Sequence, residues 1–407
     1  MTPTQEFFIR VLSDHLNGRP TQPHGEVDWQ EMLRLSEAHQ LGGIVYVQCS
    51  PFFPEEVTEA FAHAYGLATF SYYNRIDAMN QASAALKQEN IPFFEVKGLT
   101  VAQLYPIPAL RSMGDTDLVI PEECREQAVQ TLVERGFQVD KIQSAYEWKK
   151  LHWGELSFEL HDRLIYHEAV TRPRHEAFFN NCWQYVRDNR LDWSFHFLFL
   201  VLHLQKHFLN RGVGFRQFMD LAVTMRGCGE LNWPWIRTQL EQLEMLRFTQ
   251  TCLFLLHRWF GVTCPLTGEP LSEAFYQAAS DAILANGVFG FDDEDNLERS
   301  ILNPYAFQPG NPPLRRFRLV LQNLFPPYWM MRDVPYYRFV NHRPWLLPAA
   351  WVYRFFYGAT HRKTDEVKRM ARQVTASEEK LLRHRAWLEQ WGLEGETLPQ
   401  SLRERPF

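Results

Sequence analysis

The stretch IPFFEVKGLTVAQLYPIPALRSMGDTDLVIP, residues 91–121, decides the reading of this 407-residue chain, because the hydrophobic period changes there from helical to strand-like and back. IPFFEV (91–96) is short, apolar and β-prone. KGLTVAQLY opens on a glycine and reads as a helix, and DTDLVI (115–120) as a second strand. The helix expected next, in PEECREQAVQTLVERGF, starts at Pro121 and stops at Gly136, and LSFELHDRL (156–164) alternates as a third strand. In a strand, alternate side chains share a face and sit roughly 6.6 Å apart along the chain, so Asp115 and Asp117 point the same way. By the same alternation Ser157, Glu159 and His161 share a face opposite Leu156, Phe158 and Leu160. Two carboxylates on one face raise each other's pKa unless a cation lies between them, and the usual cation for such oxygen ligands is Mg²⁺. If the two strands are neighbours, Asp115, Asp117 and Glu159 converge as the acidic set that two-metal phosphoryl transfer needs.

Lys97-Gly98 ends one strand and opens a helix, where free backbone N–H groups and the positive helix end receive phosphate. Arg111, four residues before Asp115, is in reach of the same anion.

Working outward, residues 1–90 show the period of amphipathic helices, broken at Gly42-Gly43 and between Pro51 and Pro54. From about residue 166 the pattern is helical again, with no β region. The expected organisation is an N-terminal helical region (1–90), a core (91–165), a helical domain (166–310) and a basic, aromatic-rich C-terminal helical region (311–407). The fold class is α+β, a small mixed sheet embedded in a mostly helical protein.

Composition narrows the function classes. With a formal charge of −6 the chain is not built to coat a nucleic-acid backbone, although residues 311–373 alone carry a local balance of +9. Six scattered cysteines without a CxxC pair, and an N-terminus lacking the pattern of a signal peptide, point to the cytoplasm. No stretch approaches the roughly 18 to 20 apolar residues that cross a bilayer. His203 and His207 share a helical face, but Leu204 stands where H-E-x-x-H has its glutamate, so they read as packing residues. Arg211, Arg216 and Asp220 either lean over the site or form an ordinary ion pair. The acidic run Asp292 to Asp295 lacks the spacing of a calcium loop and reads as a solvated loop.

The stretch EVKGLTVAQLYPIPALRSMGDTDLVIP, the Gly-Phe helix end and FELHDRL resemble the bacterial uncharacterised nucleotidyltransferase family, a branch of the polymerase-β-like minimal nucleotidyltransferases. LHLQKHF and GFRQFMDLA resemble its helical half, so that the resemblance spans roughly residues 25–360. It implies divalent metal, Mg²⁺ or Mn²⁺, on Asp115, Asp117 and Glu159, with Glu159 the best-placed general base and His161 orienting it or touching a phosphate. Lys97, Gly98, Arg111 and His161 then attend an NTP such as ATP, whose nucleoside monophosphate goes to a hydroxyl on a small molecule, sugar, nucleic acid or protein. Lys97-Gly98-Leu99-Thr100 departs from the superfamily's Gly-Ser, which motivates a second reading as a nucleotide-binding or regulatory module without transfer. A third makes the chain a helical scaffold whose basic C-terminal region grips RNA or another anionic partner.

Overall fold

The computed structural model describes residues 1–140, 149–166, 173–210, 212–266 and 268–287, together with parts of 321–360 and 378–393. The acidic run, Arg211 and most of the basic positions between 315 and 372 lie outside the described residues.

Helices α1 (Pro3–Leu16), α2 (Trp29–His39), α3 (Gly42–Cys49) and α4 (Glu55–Gln88) form the lead-in. The capping box of Thr2 and Gln5 starts α1, and the Asp28 carboxylate accepts from Glu31 N to start α2. The first break falls at Gln40, whose left-handed φ of 55° ends α2, so the glycine pair opens α3 and does not interrupt it.

The sheet follows, with strands β1 (Phe94–Val96), β2 (Asp115–Val119), β3 (Gln138–Val139), β4 (Lys149–Trp153) and β5 (Leu156–His161). Between them lie the short helix α5 (Gly98–Ala102) and α6 (Arg125–Glu134). Strand order is β1-β2-β5-β4-β3. Only the β2–β5 pair is parallel, which places the segment containing α6 in the crossover between them. The fold is thus α+β, as expected.

Four strands escaped the sequence reading, β3 and β4 of the sheet among them. Strand β4 begins with Lys149-Lys150 and shows no clean alternation, yet it returns into β5 through a two-residue loop at Gly154, whose φ of 57° suits the first loop position of a II′ hairpin. The expectation of no β structure beyond residue 166 is corrected by a small hairpin, β6 (Val186–Arg187) and β7 (Arg190–Leu191). Its loop residues Asp188 and Asn189 both have positive φ, the requirement of a I′ turn.

Helices α7 (Pro173–Phe179), α8 (Trp193–Asn210), α9 (Phe215–Gly227), α10 (Trp233–Gln242), α11 (Leu246–Phe260) and α12 (Glu273–Asn286) complete the main body. One face of the sheet packs Leu118, Phe158 and Leu160 against Ala78 and Ala82 of α4 and Leu132 of α6. The other face belongs to the large core that the N-terminal helices share with α8 to α12, as Phe8 against Phe215 illustrates. Phe94, Val96 and Val119 anchor that face of the sheet to the core, and by alternation Asp117 shares the face of Val119. No described helix is long and apolar enough to cross a membrane.

Candidate active site

The site grows from the β2–β5 register. Asp115 pairs with Ser157, Asp117 with Glu159 and Val119 with His161, so both carboxylate-bearing strands present the same face at the same level. Asp117 is buried at 5% exposure, whereas Asp115, at the strand's first position, is exposed. One ligand atom from each of Asp117, Glu159 and His161 lies within 4.8 Å of the others. His161 Nε2 is 3.0 Å from Asp117 Oδ1 and 3.4 Å from Glu159 Oε2. Lys97 Nζ reaches Asp117 Oδ2 at 2.7 Å.

The charges of this group set its protonation. Burial pushes the Asp117 carboxyl up, but the Lys97 ammonium and the His161 imidazole outweigh burial and hold it well below the usual carboxylate range. The charge on Asp117 in turn raises Asp115. Burial depresses His161, yet its hydrogen bonds to Asp117 and Glu159 prevail and raise it. Lys97 is raised likewise, the carboxylates overcoming its burial. The Lys97 ammonium and the hydrogen-bonding His161 imidazole therefore offset carboxylates that would otherwise repel. Two oxygen donors and one imidazole on one face are a donor set that suits a hard or borderline divalent cation.

Lys97 is held in an uncommon conformation, φ 60° and ψ −113°, which costs a non-glycine residue on the order of 1–3 kcal/mol. Its backbone N–H donates to His196 Nε2 at 3.1 Å, and its ammonium lies 3.3 Å from His203 Nε2. His203 Nε2 is itself 3.0 Å from His207 Nε2. Burial lowers His196 to about 3 and drives His203 well below its ordinary value, with Lys97 adding to the effect on His203. The histidines of α8, expected to be packing residues, thus form the wall that Lys97 meets. Only their spacing on one helical face hinted at this, because nothing local links positions 97 and 203.

Two expectations about phosphate-binding geometry are altered. The backbone N–H groups expected to be free at Gly98 are not: Leu99 N and Thr100 N donate to the Glu95 carboxylate at 2.6 and 2.8 Å, and the Thr100 hydroxyl donates at 2.7 Å. Burial pushes Glu95 up to about 7 even against these bonds. Gly98 is required here because a Cβ would lie 2.2 Å from Glu95 Oε1, at a φ of 25°. Arg111 turns away from the carboxylates and binds Asp220 of α9 through Nε and Nη2, both at 2.8 Å, while Tyr105 donates to the same carboxylate at 2.8 Å. Asp220 is therefore an ion-pair residue. Arg216, one turn earlier, donates to Ser112 O at 2.9 Å, three residues before Asp115.

On the opposite face of the sheet Arg75 is 2% exposed, a residue the sequence did not single out. It donates to Thr116 Oγ1 at 2.6 Å and to the carbonyls of Ser157, Met113 and Gly114 at 3.3 to 3.4 Å, tying β2 to β5 directly behind the carboxylates.

A lysine-glycine turn, a strand bearing D-x-D and a parallel neighbour supplying a third carboxylate are now joined by one further finding. A family described as an uncharacterised nucleotidyltransferase matches residues 25–261. The chain belongs to that nucleotidyltransferase family. The matched span includes the whole five-stranded sheet and helices α8 to α11, so both walls of the site lie inside it. It ends about a hundred residues short of the resemblance read from the sequence, leaving the basic, aromatic C-terminal region outside the family match. No curated protein and no solved structure matches the chain.

Proposed function

We propose that this nucleotidyltransferase transfers a nucleoside monophosphate from an NTP to a hydroxyl acceptor, with residues 91–165 as a polymerase-β-like core and residues 166–310 as the helical half facing it. The observation that carries the reading is the register pairing Asp117 with Glu159 on one sheet face, with His161 completing a compact donor set.

Asp117 and Glu159 would hold the divalent ion, Mg²⁺ or Mn²⁺, with Asp115 at the open edge as the third carboxylate. Such an ion supplies charge neutralisation on the nucleotide's phosphates and acidifies a bound hydroxyl. Glu159, half-buried and 3.4 Å from His161, is positioned to take the acceptor's proton, and His161 fixes the orientation of both inner carboxylates. Lys97, on its strained turn, balances Asp117 and offers its remaining N–H donors to phosphate. Arg111 acts at a distance, since its ion pair with Asp220 locks the β1–β2 connection to α9.

Calorimetric titration of the purified protein with each of the four NTPs in Mg²⁺ tests the reading. Binding of at least one, and turnover that disappears in a folded Asp117→Ala variant, supports transfer. Binding without turnover would leave a nucleotide-binding module, which the internally bonded N–H groups of α5 favour. Binding of none would end both readings.

A further inference from the structure

Lys97, Arg111 and Arg216 all stand near the carboxylates, and they differ in what they meet. Lys97 Nζ reaches Asp117 at 2.7 Å. Arg111 spends its Nε and Nη2 on Asp220, both at 2.8 Å. Arg216 of α9 meets no carboxylate within ion-pair distance among the described residues, and its one hydrogen bond there runs from Nη1 to Ser112 O at 2.9 Å. Its Nε is buried without an acceptor, and so is the Ser112 hydroxyl, so two donors are left unsatisfied at one contact. The arginine side chain as a whole is partly exposed, which leaves the guanidinium within reach of a ligand.

The charge of Arg216 is felt on both walls of the site. Asp115, raised chiefly by Asp117, is drawn back in part by Arg216, and His203 on α8, depressed chiefly by burial, is pushed further down by it. Ser112, which it holds, lies three residues before Asp115. Burial, and after it the neighbouring Arg111, disfavour the charge on Arg216 more than Asp220 and Asp115 favour it. Water satisfies the N–H groups of such a cation but brings no opposite charge. An anion brings both, and the planar fork of a guanidinium matches phosphate oxygens.

We propose that the Arg216 guanidinium binds the polyphosphate chain of the nucleotide, while Asp117 and Glu159 hold its divalent ion. The assignment rests on the nucleotidyltransferase reading for the identity of the anion. It also gives a place to the departure at α5, where Glu95 occupies the Leu99 and Thr100 N–H groups that would otherwise receive phosphate. A cation from the helical half takes over that task. Because Arg216 has no carboxylate partner, removing it strands no opposite charge, whereas loss of Asp220 strands Arg111.

The test is calorimetric titration of the full-length protein, in Mg²⁺, with inorganic tripolyphosphate and separately with the four NTPs. Wild type is compared with Arg216→Met and Arg216→Lys, and Arg237→Met, at an exposed position of α10, serves as a control. Wild type and control should bind both probes, and Arg216→Met should lose at least tenfold in affinity for each, by the same factor for tripolyphosphate as for NTP. Its melting temperature should equal or exceed that of wild type. Arg216→Lys keeps the cation without the fork, guards against misfolding and should bind with intermediate affinity. If folded Arg216→Met binds NTP as tightly as wild type, the inference fails while the nucleotidyltransferase reading stands. If wild type binds tripolyphosphate through Arg216 but binds no NTP, the anion site stands and that reading falls. Affinity lost only in step with melting temperature would make Arg216 a brace between α9 and Ser112 and overturn the inference, as would binding of neither probe by wild type.

Discussion

The two faces of the central sheet are made from the same five strands and do opposite things. Toward α4 and α6, Leu118, Phe158 and Leu160 lie in a dry apolar layer. Arg75, buried there, is bonded to neutral oxygens: the Thr116 hydroxyl and three carbonyls. Toward α8 the same strands present Asp117, Glu159 and His161, met by Lys97. The difference teaches where the molecule concentrates cost. Packing on the first face fixes the register, and the register then brings carboxylates together on the second, where Lys97 and His161 offset them. Stability and function should therefore separate by face.

The sharpest separation is expected from neighbours in one strand. Glu159→Gln should lower turnover at least about a thousandfold, equivalent to ~4 kcal/mol of transition-state stabilisation, while its denaturation midpoint stays within error of wild type. Phe158→Ala, one residue away and facing the other side, should cost about 3–5 kcal/mol in urea unfolding and leave nucleotide affinity unchanged in the folded fraction. Equal effects of the two substitutions on both readouts would break the comparison.

Asp220→Ala tests the brace behind the functional face. It strands Arg111 as a buried, unpaired cation, and a destabilisation of about 3–5 kcal/mol should appear in thermal or urea melts.

Glu95 gives the comparison a pH signature. Its carboxyl titrates near 7 in the folded protein because of burial, against about 4.5 when unfolded. The folded state then binds the proton more tightly, so stability contributed by this group is full below pH 4.5 and is lost as pH rises toward and through 7. Over that window the loss is roughly 3 kcal/mol, at about 1.4 kcal/mol for each tenfold change in proton affinity. Glu95→Gln should remove that portion of the slope, measured as urea midpoints between pH 5 and 8. An unchanged slope would remove Glu95 from the account. The smallest effect expected is that of Thr116→Val, which leaves Arg75 short of one acceptor and should cost about 1–3 kcal/mol.

The legible part of this molecule was whatever a period of two writes locally. Alternation in DTDLVI and LSFELH put Asp115 with Asp117 and Glu159 with His161, and the parallel register then aligned them. Strand β4 was hidden because Lys149 and Lys150 blur its alternation, although Gly154 signalled its hairpin. The partners of Arg111, the reach of His203 to Lys97 and the service of Arg75 behind the sheet were hidden for another reason. Each joins residues tens to more than a hundred positions apart, and side-chain pairing at that range follows from packing, which no local pattern encodes. The occupation of the α5 N–H groups by Glu95 is different again. It is a local contact, and a glutamate just before Lys97-Gly98 was a sign that the helix start could be capped from within the chain.

The central claim, that Asp117 and Glu159 together gather a divalent cation for a nucleotide, is tested most directly by electron paramagnetic resonance of Mn²⁺ titrated into the protein without free nucleotide, which would itself sequester the ion. Wild type should remove free Mn²⁺ signal at protein-stoichiometric amounts, and folded Asp117→Asn and Glu159→Gln variants should each bind at least tenfold more weakly. Mn²⁺ uptake by both variants equal to that of wild type would contradict it.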